Sequence, residues 1–129
     1  MKLSPRTSRR IPSSATLGLV TVLGLGAGLA LRASAETAVD IASRTGEIIG
    51  AASACRMEAG DLLAVGYTVI GWARDQARTP AELKRARAAH EAAVKRGVAR
   101  IEKQGPGGCP AAVATFRDLQ RKVETSGGR

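Results

Sequence analysis

The sequence has few aromatic residues and a single histidine. Its 129 residues include one tryptophan, one tyrosine and one phenylalanine. A core built mainly from small aliphatic side chains buries little area per residue, and burial contributes roughly 25 cal/mol per Å² of apolar surface. A small domain of this composition therefore needs stabilisation beyond its core. The scarcity of aromatic rings also argues against nucleic-acid binding by base stacking.

Acidic residues are absent from the first 35 positions. A basic start is followed there by an apolar run over 15–31 and by the small residues Ala33 and Ala35. The basic residues of this start are Lys2, Arg6, Arg9 and Arg10. Such an order is typical of a secretory signal peptide. We therefore expect residues 1–35 to be cleaved off between Ala35 and Glu36, and the protein to be periplasmic or secreted.

Three other interpretations of this segment stay open. The apolar run covers 17 residues, the lower limit for crossing a bilayer of roughly 30 Å, so an uncleaved membrane anchor is one alternative. Twin-arginine export is the second, because Ser8 precedes two arginines. Pro12 and Ser13, however, occupy positions where that motif usually has large apolar residues. A buried core helix is the third, and the basic start argues against it.

Removing residues 1–35 changes the charge of the chain. The remaining 94 residues carry 15 Lys and Arg against 11 Asp and Glu, a net charge of +4 in place of +9. This length suits one domain, which we expect to be helical over 36–125 and followed by a flexible tail over 126–129. The modest charge and the predicted export both argue against a nucleic-acid partner.

Cys55 and Cys109 are the only cysteines of the sequence. Two cysteines in an exported chain most often pair with each other. A disulfide closing a loop of this size should contribute about 4 kcal/mol in the chain-entropy model. A metal site would need further Cys or His residues, and a redox pair is usually a CxxC motif. We therefore predict a structural disulfide, with free, reactive or intermolecular thiols as the alternative.

The spacing of apolar residues predicts four helices and no strand. Their expected bounds are 37–54, 58–77, 80–103 and 109–124. The expected fold class is all-α: a small antiparallel bundle of about four helices, closed by one disulfide around the hairpin of the second and third helices. The second helix is the most apolar, so we expect it to be the central core helix.

Each predicted helix has an apolar stripe that should face the core. In the first helix the stripe is Ile41, Ile48, Ile49, Ala52 and Cys55. In the second it is Leu62, Val65, Val69 and Trp72, widened by Leu63 and Ile70. In the third it is Leu83, Val94 and Ile101, with Val98 at the edge. In the fourth it is Val113, Phe116, Leu119 and Val123. We also expect four-residue ion pairs, Asp40 with Arg44 and Glu91 with Lys95.

The boundary between the second and third helices is the clearest. Thr79-Pro80-Ala81-Glu82 matches a capping box with proline at the first helical position. The glycine-rich stretch over 105–108 should end the third helix. It lacks the spacing of a phosphate-binding P-loop and follows a helix, so we interpret it as a linker.

No constellation of side chains points to catalysis, a cofactor or a metal ion. His90 lies inside the apolar stripe of the third helix, and an acid–base role would need partner groups that the sequence does not supply. We interpret it as a half-buried histidine whose nitrogens bond to neighbours or water. The sequence therefore predicts no catalytic, cofactor-binding or metal-binding residues.

The whole positive excess after position 35 lies on the third helix. The predicted partner face consists of Lys84, Arg85, Lys95, Arg96, Arg100 and Lys103. Such a face suits an acidic protein, lipopolysaccharide, anionic lipid or polyphosphate. The alternative is a solvated surface without a partner. Contact with a membrane is otherwise expected only through an uncleaved segment 1–35.

Two resemblances rest on the placing of the cysteines. The first is to small exported bacterial proteins of uncharacterised role. The chain resembles them in an Ala-rich helix that ends in Ala52-Ser53-Ala54-Cys55, in a charged middle helix, and in a second Cys before a short amphipathic helix. The segment 68–73, with Phe116 after the second Cys, resembles the periplasmic acid-stress chaperones, although those lack a helix before the first Cys. That resemblance implies acid-triggered opening that exposes residues 62–73 to unfolding clients.

We therefore expect an exported, non-enzymatic helical protein that acts as a structural or interaction module. The alternatives are a periplasmic acid-stress chaperone, and an accessory subunit or inhibitor that docks through the basic helix 80–103.

Overall fold

The structure, a computed structural model, describes residues 36–127. The predicted signal peptide therefore lies outside the described residues. Four α-helices follow one another, α1 Ala38–Ala54, α2 Ala59–Gln76, α3 Pro80–Gln104 and α4 Cys109–Ser126, with a short 3₁₀ turn over Pro106–Gly108 between the last two. Residues 36–127 contain no strand. The predicted all-α bundle is confirmed, and α4 runs two residues further than expected. None of these helices is long and apolar enough to cross a membrane.

The start of α1 is held by a reciprocal cap. The Thr37 hydroxyl accepts a hydrogen bond from the Asp40 backbone N–H, and the Asp40 carboxylate accepts from the Thr37 hydroxyl at 2.7 Å and from its N–H at 3.1 Å. The hydrogen bond from the hydroxyl, then that from the backbone, holds the pKa of Asp40 below its usual value. Because a lowered pKa favours the ionised form in the folded state, this stabilisation is present above about pH 4 and is lost as the pH falls through the folded pKa.

The predicted pair between Asp40 and Arg44 is wrong. Arg44 reaches back to Glu36 instead, at 2.9 Å, since the Asp40 carboxylate is occupied at the cap. At α3, the Thr79 hydroxyl accepts from the Glu82 N–H as the capping box predicts. The Glu82 carboxylate, however, accepts from the N–H of Arg78 rather than from that of Thr79.

The central helix of the bundle is α1, and the expectation that α2 is central is wrong. Helix α1 packs against each of the other three, most extensively against α3, whereas α2 and α3 touch only sparsely. The predicted hairpin of the second and third helices therefore does not form a packed pair. Consecutive helices alternate in direction, so α1 and α3 run parallel. Helix α3 meets the face of α1 that contains Gly46 and Gly50, whereas α2 and α4 meet the face that contains Ile49 and Ala52.

Glycines bring α1 and α3 into close contact. A Cβ added at Gly50 would overlap the carbonyl oxygen of Val94, and one added at Gly97 would overlap that of Glu47. At Gly46 an added Cβ would lie 2.7 Å from the carbonyl oxygen of His90. Contacts below 3.0 Å are closer than carbon and oxygen atoms tolerate. The two backbones are therefore nearer than any side chain larger than hydrogen would allow at these positions.

This contact explains why the buried face of α3 differs from the predicted stripe. Its buried residues are Ala86, Ala93, Gly97 and Ile101. The larger residues Leu83, Val94 and Val98 are only half-buried beside them. The prediction used the periodicity of large apolar residues, so it placed the core-facing side of α3 on the wrong part of the helix surface. The surface that meets α1 is made mainly of small residues.

Larger side chains fill the opposite side of α1. Phe116 and Leu119 of α4 pack with Val65 and Val69 of α2 against Ile49. Phe116, Val65 and Val69 are among the largest side chains that are fully buried. The stripes predicted for α2 and α4 are thus largely confirmed. The exceptions are Leu63, which is exposed, and Ile70, which is half-buried and belongs to none of the core clusters.

Replacing Gly50 by Ala should destabilise the fold, because the new methyl group would force α1 away from α3. Overpacking of this kind costs about 1–3 kcal/mol, and each kcal/mol lowers the unfolding temperature of a domain of this size by roughly 4–8 °C. The measurement is thermal unfolding followed by circular dichroism. Gly60→Ala is the matched control, since nothing lies within 4 Å of its added Cβ. An unchanged midpoint for Gly50→Ala would contradict the close contact.

Candidate functional site

All six residues of the predicted partner face are exposed on α3. Arg85, Arg96 and Lys103 fall in one row along the helix, because separations of 11 and 18 residues are close to whole numbers of turns. Lys84 and Lys95 form a second row for the same reason. Glu102 lies 18 residues after Lys84 and so belongs to that second row. The first row is therefore the more strongly basic one.

Arg100 differs from the other five basic residues. Its guanidinium donates to the Glu47 carboxylate of α1 at 2.7 Å, so it bridges α1 and α3. Among residues 36–127, the other five have no carboxylate within ion-pair distance. The predicted pair between Glu91 and Lys95 is accordingly wrong. The basic face that remains for a partner is centred on the first row.

His90 has a structural place in the fold. Its Nδ1 lies 3.2 Å from the carbonyl oxygen of Ala42, and the side chain is half-buried between α1 and α3. A carbonyl oxygen can only accept, so the bond requires the proton on Nδ1. The ring also lies beside Gly46, where a Cβ would come within 3.0 Å of Nδ1. The interpretation of His90 as a hydrogen-bonded histidine at the edge of the core is confirmed.

The predicted disulfide is formed. Cys55 follows α1 and Cys109 begins α4, and their Cα atoms are 5.4 Å apart. The bridge packs beside Ala51, Ile101 and Ala112, a cluster that joins α1, α3 and α4. It therefore holds together the end of the bundle at which three helices meet.

A cleft of about 490 Å³ lies over the disulfide. Both cysteines line it, together with Arg56 and Val98. Arg56 has a φ of +58°, a left-handed conformation that costs a non-glycine residue about 1 kcal/mol. Sequence reasoning missed this cleft, because its lining comes from α1, α3 and the start of α4, which are far apart in the sequence.

A second cleft, of about 460 Å³, lies where the start of α1 and the ends of α2 and α4 meet. Trp72 and Ile41 form its apolar part, and Arg44, Asp75 and Lys122 are among its charged residues. Trp72 was predicted to belong to the core, and it is half-buried here. The charges are of both signs, so the cleft has no evident preference for an anion or a cation.

The outward face of α2 is apolar. Leu63 is 60% exposed and Tyr67 is 78% exposed, and they are the exposed large hydrophobic residues in the described part of the chain. In the segment that resembles the acid-stress chaperones, Val69 and Ala73 are buried against α1. Leu63 and Tyr67 therefore already face outward in the folded state.

Within residues 36–127 there is no group of three or more His, Cys, Asp or Glu side chains that could hold a metal ion. Comparison with known proteins finds no matching family model, no matching curated protein and no matching solved structure. The two resemblances based on the cysteines therefore stay predictions.

Replacing both cysteines by serine should lower the free energy of unfolding by about 4 kcal/mol, because the unfolded chain regains the freedom of a 54-residue loop. Denaturant unfolding of the oxidised protein and the double variant measures this difference. Reduction of the unmodified protein is the control and should give a similar loss, whereas the double variant should not respond to reductant. Equal stability of all forms would show that the bridge does not support the bundle.

Proposed function

We propose that this chain is an exported, non-enzymatic interaction module that binds an acidic protein through α3. The observation that carries the proposal is the Cys55–Cys109 disulfide, which joins two helices of a bundle with few large side chains in its core. Such bridges persist in oxidising compartments and stabilise small exported domains. The basic start, apolar run and small residues of the first 35 positions support the same compartment.

The basic row of α3 supports an acidic partner. Arg85, Arg96 and Lys103 are exposed and spread over about 27 Å of helix, at 1.5 Å per residue. The exposed Ala92 and Ala99 lie between them on the same side of the helix. Small side chains between long basic ones leave room for a partner to approach the helix, and the charges favour carboxylates on its surface.

The helix is held rigidly enough to present such a face. Its inner side is fixed to α1 by the contact at Gly97, and the ion pair between Arg100 and Glu47 joins the two helices at the edge of the face. Side chains that already have a fixed backbone lose less freedom on binding. The row therefore suits recognition of a folded partner.

Export and oxidation can be tested together by intact-mass spectrometry of the protein from its native compartment. We expect a chain that begins at Glu36 and gains about 2 Da on reduction, the mass of two hydrogens. Alkylation before reduction is the control, and it should add no mass because both thiols are bonded. A full-length chain with both thiols open to alkylation would overturn the proposed compartment.

The double variant Arg85→Glu, Arg96→Glu should weaken binding of an acidic protein partner by roughly ten-fold or more, because two attractive charges become repulsive. The measurement is recovery of the partner with the tagged chain from the native envelope fraction, at two salt concentrations. Lys84→Glu, Lys95→Glu makes the same change in net charge on the second row and is the matched control. Equal recovery with both variants would contradict a site on the first row.

A further inference from the structure

The glycines of the bundle fall into two groups. Gly46, Gly50 and Gly97 lie where an added Cβ would strike the backbone of the neighbouring helix. The three glycines of α2 have nothing within 4 Å of an added Cβ. These are Gly60, Gly66 and Gly71. A glycine inside a helix is about 1 kcal/mol less favourable than alanine, so the glycines of α2 weaken a helix without relieving any contact within the described bundle.

These glycines flank the outward apolar face of α2. At 100° per residue, Leu63, Tyr67 and Ile70 form one stripe, with Gly66 on one flank and Gly60 and Gly71 on the other. The stripe therefore consists of protruding side chains. Beside it lie grooves at the glycines, whose only side-chain atom is a hydrogen. Helices pack by inserting the ridges of one into the grooves of another.

The face is complementary to a second copy of itself. Tyr67 lies near the middle of α2, and no charged residue occurs between 62 and 73. If two α2 helices pair in opposite directions about Tyr67, Leu63 of each copy lies over Gly71 of the other. A two-fold axis makes every such contact occur twice.

Charges at the two ends of the helix favour the same arrangement. The charged residues around the N-terminal end are Arg56, Glu58 and Asp61, with one net negative charge. Those around the C-terminal end are Arg74, Asp75 and Arg78, with one net positive charge. Antiparallel pairing places unlike ends together, with Arg74 in line with the stripe and Asp61 about 120° round the helix from Tyr67. An anionic membrane is a poorer occupant, since no basic residue lies between 62 and 73 and the basic row belongs to α3, which scarcely touches α2.

We propose that the protein self-associates through α2, as an antiparallel two-fold pair centred on Tyr67 and seated in the grooves at Gly66 and Gly71. Helix α2 has 18 residues and so is about 27 Å long. One helix face of that length is smaller than the roughly 800 Å² that each partner contributes to a standard interface. The pair is therefore a weak one that forms and separates readily.

The test uses the oxidised chain 36–129, since the core clusters and the disulfide are all built from residues between 38 and 123. Sedimentation equilibrium from micromolar to millimolar concentration should show a monomer–dimer equilibrium. Gly66→Ala, Gly71→Ala should weaken the association at least ten-fold, because the methyl groups fill the grooves. The same variant should raise the unfolding temperature of the dilute monomer, because alanine favours the helix.

Gly107→Ala is the matched control, since it also has nothing within 4 Å of its added Cβ but lies in the turn before α4. It should leave the association unchanged. Tyr67→Glu is the second variant, and it should abolish the dimer by placing two like charges at the axis. Tyr67 is 78% exposed, so this change leaves the core intact.

Three results would overturn the proposal. The first is a monomer at every concentration. The second is a dimer that neither variant weakens. The third is a monomer that sediments with vesicles of anionic phospholipid and loses this binding on Tyr67→Glu, which would assign the face to a membrane surface instead.

Discussion

The close contact of α1 with α3 is the constraint on which the rest of the bundle depends. It exists because Gly50 and Gly97 have no side chain to hold the two backbones apart. Atoms in van der Waals contact along this length compensate for the small area that alanines and glycines bury. Since α3 occupies one side of α1 along its length, α2 and α4 can pack only on the other, and α1 becomes the centre.

The disulfide supports the part of the fold that this contact does not reach. Helix α4 packs on α1 and α2 but hardly meets α3, apart from the cluster of Ala51, Ile101 and Ala112. The bridge from Cys55 to Cys109 lies beside that cluster and fixes the start of α4 to the end of α1. The small residues of the core and the covalent link therefore act together, because Phe116 is the one aromatic ring that is fully buried among the described residues.

Sequence patterns predicted the bounds of the helices well, but they predicted poorly which helices pack against each other. The bounds of all four helices were correct to within two residues, because apolar periodicity, the cap at Thr79 and the glycine-rich linker act locally. The central role of α1 was missed because Gly46 and Gly50 make the close contact, and glycines do not contribute to the periodicity of apolar residues. Their four-residue spacing, matched by that of Ala93 and Gly97, is the pattern that could have indicated a close helix contact. The ion pair predicted between Asp40 and Arg44 was also wrong, because the Asp40 carboxylate is used by the helix cap.

The two candidate surfaces lie on different helices, α3 and α2. The basic row of α3 and the apolar stripe of α2 share no residue, and the two helices scarcely touch. Occupation of one surface therefore leaves the other free. A pair joined through α2 would carry two basic rows, and a partner with repeated acidic sites would be able to bind both. Two weak contacts joined in this way bind far more tightly than either alone, so even a weak dimer would strengthen the binding of such a partner.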